Sequence, residues 1–199
     1  RVTIHSGHFR ILHKPDDGGL PDLYSVKIAP GSIRPGTVIY DPNGHIAVVY
    51  EVTKNGRILF IDAHPDNSLT QGSYGKRFTQ RAKPDSAPGF KNWREISLTG
   101  ATANADGQYI GGTVEIAGND RIKDYSTEQF FGTESPEKRK WTRRRFKVLG
   151  RVVGWYDFVR TRLAGRELRY KPVAEFKYMI DGLCNDLAYR MASVNTALA

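Results

Sequence analysis

Residues 36–67 read GTVIYDPNGHIAVVYEVTKNGRILFIDAHPDN, and they predict a β-hairpin that carries His45, Asp62, His64 and Asp66 near its open end. The segment Lys54-Asn55-Gly56-Arg57 sets an Asn-Gly pair between two runs rich in β-branched and aromatic residues, the strongest short-range signal for a two-residue turn. With Asn55 and Gly56 as the loop, Val49 opposes Asp62, Ala47 opposes His64 and His45 opposes Asp66. Side chains alternate along a strand, so His45, Ala47, Val49 and Glu51 share one face with Asp62, His64 and Asp66. Ile46, Val48, Tyr50, Ile61 and Ala63 form an apolar face on the other side. In this register His64 is the diagonal neighbour of His45, roughly 7 Å away between backbones.

The run Pro35-Gly36-Thr37-Val38-Ile39, then Gly44-His45-Ile46-Ala47-Val48-Val49, then Phe60-Ile61-Asp62-Ala63-His64 resembles the His-containing half of papain-like cysteine hydrolases of the NlpC and CHAP type. In those families a strand opening on Gly-Asp leads into a Gly-His strand whose histidine is the general base, and a polar residue on the next strand orients it. The resemblance implies an α+β fold, with an antiparallel β-sheet core and C-terminal helices packed on it. It implies His45 as the base and His64 or Asp62 as the orienting group. Thr37 stands where the family usually has Asp. The implied activity is that of an amidase or peptidase acting on bacterial cell-wall peptides, with no cofactor, in a periplasmic or secreted setting.

The nucleophile departs from the family pattern. Its usual place is a helix start several dozen residues before the histidine, and residues 1–44 contain no cysteine. The chain's one cysteine, Cys184, falls within a helix predicted from Lys171-Pro172 onward, beside an apolar stripe of Val173, Phe176, Ile180, Leu183, Leu187, Met191 and Val194. A mid-helix position on a buried face gives a thiol neither a helix N-terminus nor access, so Cys184 is expected to be a small core residue. Circularly permuted papain-like enzymes, with Cys after His, keep it as an alternative nucleophile. The chain begins Arg-Val-Thr-Ile without an initiator methionine, and the leading expectation is that an upstream segment of the same gene product supplies the thiol.

A His/Asp metal site is a second chemistry open to the same residues. Zinc held by His45, His64 and Asp62 or Asp66 would have three protein ligands and room for a water. The spacing matches no zinc motif. His5 and His8 point to opposite faces of an extended strand and would not chelate together.

With 199 residues, 39% of them hydrophobic, the chain suits one domain with or without an appendage: a β-rich core over residues 1–99 and a mixed segment over 100–199 ending in two helices. No stretch approaches the ~20 apolar residues of a membrane span. A single cysteine excludes an internal disulfide. Net charge is +9, and Lys138, Arg139, Lys140, Arg143, Arg144, Arg145 and Lys147 crowd around Trp141 and Phe146. This run either binds nucleic-acid phosphates with base stacking, an anionic envelope polymer or lipid head groups, or forms a solvated edge leading into Val148. It belongs to no recognisable nucleic-acid module.

Elsewhere, residues 1–13 alternate like a strand and Tyr24–Ile28 form another. Residues 65–95 read as a long loop whose segment Gly89–Arg94 is a candidate substrate-binding lip, with Asn92 and Trp93 as contacts. Residues 100–112 read as flexible. Ser126 and Gln129 suggest a capped short helix, and Trp155–Leu168 a helix stopped by Gly165. Three functions follow: a thiol hydrolase, a metal-dependent hydrolase, and a non-catalytic domain that binds an anionic polymer through residues 138–147.

Overall fold

The computed structural model describes residues 19–40, 45–65, 68–76, 78, 88–134, 144–165 and 172–198. Among these, β1 (Leu23–Ser25), β2 (Val38–Tyr40), β3 (Ile46–Val52), β4 (Ile58–Ala63), β5 (Leu69–Ser73) and β6 (Gly89–Trp93) form one sheet in the order β1-β6-β2-β3-β4-β5. All of its pairings are antiparallel. Two small hairpins follow, β7 (Ile96–Thr99) with β10 (Thr113–Ile116) and, between them, β8 (Thr102–Ala103) with β9 (Tyr109–Ile110). The chain continues through α1 (Glu128–Phe131), the hairpin β11 (Phe146–Val148) and β12 (Arg151–Val153), α2 (Trp155–Leu163) and α3 (Pro172–Leu198). The class is α+β. No helix among the described residues is long and apolar enough to cross a membrane.

The central hairpin differs from its expected register at two points. Thr53 pairs with Arg57 through Thr53 N–H to Arg57 O at 2.9 Å, and Gly56 N–H bonds Thr53 O at 2.8 Å. Lys54, Asn55 and Gly56 therefore form a three-residue loop, closed by Gly56 at φ +76°. A β-bulge between Val49 and Glu51 then moves the register by one more residue. Ala47 faces Asp62 and Val49 faces Phe60, where the two-residue turn had placed His64 and Asp62. Two single shifts leave each residue on its original face, so His45, Asp62 and His64 stay together and come closer. Glu51 lies beyond the bulge, opposite Leu59, and leaves that face.

The face that carries Ala47 and Val49 is the buried one, where they pack with Tyr24, Ile39, Ile58, Phe60 and Phe90. On the opposite, apolar face Val48 and Tyr50 are exposed. Gly72 faces Phe60, and a Cβ there would come within 2.7 Å of the Phe60 ring. α2 covers this core with Phe158, Val159 and Leu163, and the rings of Trp155, Phe146 and Phe90 pack beside them. A Cβ on Gly56 would lie 2.5 Å from Arg160 O, so glycine there serves both the turn and the approach of α2.

Several sequence expectations change. β5 and β6 lie inside the presumed 65–95 loop, and β6 is an interior strand with Phe90, Lys91, Asn92 and Arg94 buried in or just after it. Residues 100–112 hold the β8–β9 hairpin. Gln129 is fully buried rather than capping: its Nε2 donates to Val26 O at 2.7 Å and Phe90 O at 2.9 Å, and its Oε1 accepts from Phe90 N–H at 2.8 Å. α2 packs on the sheet as expected, but α3 does not bury its stripe. Among the described residues of α3 only Glu175 is buried, where it bonds Arg160 and sits 2.9 Å from the Arg57 guanidinium. Cys184 is exposed, not a core residue, because the sheet meets a different side of the helix. The expected strand at residues 1–13, with His5, His8 and His13, lies outside the described residues, as do Asp66 and residues 138–143.

Lys91 offers a test of this packing. It is 3% exposed, between Ser25 and Val38 in the sheet and 5.6 Å from the Phe130 ring centre. Burial, and after it the Arg94 charge, pull its ammonium down from the ordinary 10.5 to about 8. The unfolded chain then binds more protons than the folded one between those values, so stability rises with pH across this window, and the cost below it is about 3 kcal/mol. Lys91→Met is expected to raise stability at neutral pH by ~1–3 kcal/mol and to abolish the alkaline rise. Urea unfolding of both proteins at neutral pH and near pH 10 would show it, and an unchanged alkaline rise in the variant would refute it.

Candidate active site

His45 immediately precedes β3, and Asp62 and His64 lie at and just past the end of β4, so the hairpin delivers all of them to one end of the core face. β5 adds Thr70, which pairs with Asp62 across the strands. His45 Nε2 is 2.8 Å from Asp62 Oδ2. His64 Nε2 is 2.9 Å from Thr70 Oγ1 and 3.5 Å from Asp62 Oδ1. The two imidazoles stack at 5.7 Å between centroids with 23° between planes. Side-chain exposure falls from 42% at His45 to 24% at His64 and 12% at Asp62. The carboxylate thus sits beneath two rings, with His45 the outermost.

A carboxylate only accepts, so its hydrogen bond places the hydrogen of neutral His45 on Nε2 and makes Nδ1 the basic nitrogen. The same bond fixes the ring's orientation, as the orienting member of a catalytic pair does. Of the two candidates for that role, Asp62 makes the direct contact, and His64 stacks beside the pair. Asp62 Oδ1 is buried without a hydrogen bond among the described residues, which leaves the carboxylate one unused acceptor facing His64. A metal reading draws no support from this arrangement. Among the described residues no group of three or more His, Cys, Asp or Glu side chains is placed to hold an ion, and both Nε2 atoms are turned to protein partners.

The other candidates lie elsewhere. Cys184 is on the stretch of α3 where Tyr178, Met179, Leu183 and Asp186 line a cavity of about 140 Å³ with Ser73, Tyr74, Gly75 and Lys76. Ser73 ends β5 on the side away from Leu69 and His64, roughly 14 Å along an extended strand, so the thiol is not at the His45 end. Asn92 is no lip residue. Its Oδ1 accepts from Thr37 Oγ1 at 2.7 Å, and its Nδ2 donates to Ser32 O at 2.9 Å and lies near Tyr24 and Asp124. Trp93 beside it is exposed. Thr37, in the place of the resembled family's Asp, thus helps to hold the sheet. Arg145 is exposed and Arg144 half-buried at the entry to β11; burial lowers the Arg144 pKa. Thr70 was missed by sequence reading because only the pairing of β5 with β4 brings it to the histidines.

If the Asp62 bond fixes the ring, nitrogen-detected NMR of the neutral protein should find His45 as the Nε2–H tautomer and Asp62→Ala should convert it to a mixture. An identical tautomer in both proteins would remove Asp62 from the orienting role. The chain matches no protein-family model, no curated protein and no solved structure, so any functional reading rests on the geometry of these four side chains.

Proposed function

We propose that this chain carries the general-base half of a papain-like thiol hydrolase, an amidase or peptidase acting on peptides of the bacterial cell-wall type in the periplasm or outside the cell. The observation that carries the proposal is the 2.8 Å bond from a partly exposed His45 to a nearly buried Asp62. A base needs access and a fixed partner, and the 42% exposure of the His45 side chain and its bond to Asp62 support that role. The antiparallel sheet, with the histidine at the start of one strand and the acid on the next, agrees with the order of elements in the resembled families, which is support by analogy of fold.

In the proposed reaction, Nδ1 of His45 takes the proton of a thiol, and the thiolate adds to the scissile carbonyl carbon. The protonated imidazole then gives that proton to the leaving amine as the C–N bond breaks, and water releases the acyl group by the reverse sequence. Asp62 holds the ring and balances its charge during the steps in which it is an imidazolium. The thiol is not Cys184, which lies at the other end of β5, and in this proposal it comes from outside residues 1–199.

The test uses the complete gene product and a cell-wall peptide substrate. His45→Ala is expected to lower kcat/KM by roughly 10²–10⁴-fold. Asp62→Ala should give a smaller loss, carried by kcat with KM little changed. Alkylation should abolish hydrolysis in Cys184→Ser as fully as in the unmodified protein. Hydrolysis that survives alkylation, or that is indifferent to His45→Ala in a folded variant, would sink the proposal.

A further inference from the structure

The 27 residues of α3 make a rod about 40 Å long. Its sheet-facing side carries Glu175 against Arg57 and Arg160, Tyr178 over the Arg57 guanidinium, and Gly182, where a Cβ would lie 3.3 Å from Ser73 Oγ. At 3.6 residues per turn, Val173, Phe176, Ile180, Leu183, Leu187, Met191 and Val194 form a band centred roughly a third of a turn away from that side, with Leu183 at its near edge, where it also lines the cavity beside Ser73. Six of them, all but Val194, are between 45% and 69% exposed. None is charged. Scattered exposed apolar residues are ordinary, but a continuous stripe along a whole helix marks an interface.

We infer that α3 pairs antiparallel with α3 of a second copy of this chain, through this stripe. The spacing and the area together fit a second copy. Turned end for end about the point between Leu183 and Cys184, three pairs of the stripe fall on each other: Val173 meets Val194, Phe176 meets Met191 and Ile180 meets Leu187, while Leu183 meets Cys184, just off the stripe. A two-fold interface requires this self-complementarity, and a heterologous groove does not. The area also suits. The exposed apolar surface is roughly 600 Å² per copy, which brings two copies to about the lower bound of specific interfaces. Cys184 lies at the two-fold point, which gives the one thiol of these 199 residues use as a reporter.

Light scattering on this chain, and on the complete gene product, should read twice the chain mass at micromolar concentration. Ile180→Asp and Leu187→Asp, which face each other, should each restore the single-chain mass with the far-UV circular dichroism kept. Should either variant fail to fold, a short bis-maleimide provides the second reading on the unsubstituted surface: it should link two copies through Cys184 and give no link in Cys184→Ser. A single-chain mass up to about 100 µM, or a doubled mass that both aspartate variants keep, or a dimer that the cross-linker does not capture, would overturn the pairing.

Discussion

Side chains alternate along a strand, and so the pairing of β3 with β4 decides at once which residues fill the core and which reach solvent at its end. Had the hairpin only its three-residue loop, or only its bulge, Ala47 and Val49 would share a face with Ile61 and Ala63. Phe60, Asp62 and His64 would then turn outward. The presence of both irregularities returns Phe60 to the core opposite Val49 and sets Asp62 within hydrogen-bonding distance of His45. The core beneath the sheet and the histidine pair at its margin therefore depend on a single register, and a sequence change that removes either irregularity would damage both.

The second constraint is the treatment of buried polar groups in the sheet. Gln129 bonds the backbone of Phe90 in β6 and of Val26 just past β1, where the pairing of those strands ends, and Asn92 ties Thr37, Ser32 and Tyr24 together. Each amide is satisfied, as a buried polar group must be to avoid a cost of the order of 1–3 kcal/mol. These residues look like binding or capping residues when read locally, since amides and hydroxyls serve those roles as well. Burial by distant strands converts them into structural ones.

The C-terminal helices divide the same way. α2 has its apolar positions aligned with an uncovered region of the sheet and buries them. α3 is joined to the body by Arg57, Glu175 and Arg160, in which burial tends to raise the Glu175 carboxyl pKa but the hydrogen bonds and charges of the two arginines outweigh it and lower it. A salt bridge of this kind fixes the position of one turn of the helix and leaves most of the apolar stripe exposed.

Local periodicity and turn chemistry carried much of this protein. They specified the hairpin at Gly56, the alternation that puts His45, Asp62 and His64 on one face, and the helices near Trp155 and after Lys171, because each depends on residues within a few positions of one another. The tertiary structure alone decided the register, the place of β6 inside the sheet, the arrival of Thr70 beside His64, the burial of Asn92 and Gln129, and the exposure of Cys184. Those outcomes depend on which distant strand or helix lies alongside, and a one-residue bulge at Tyr50 or a shift in where a helix meets the sheet changes them without leaving any mark on the local pattern.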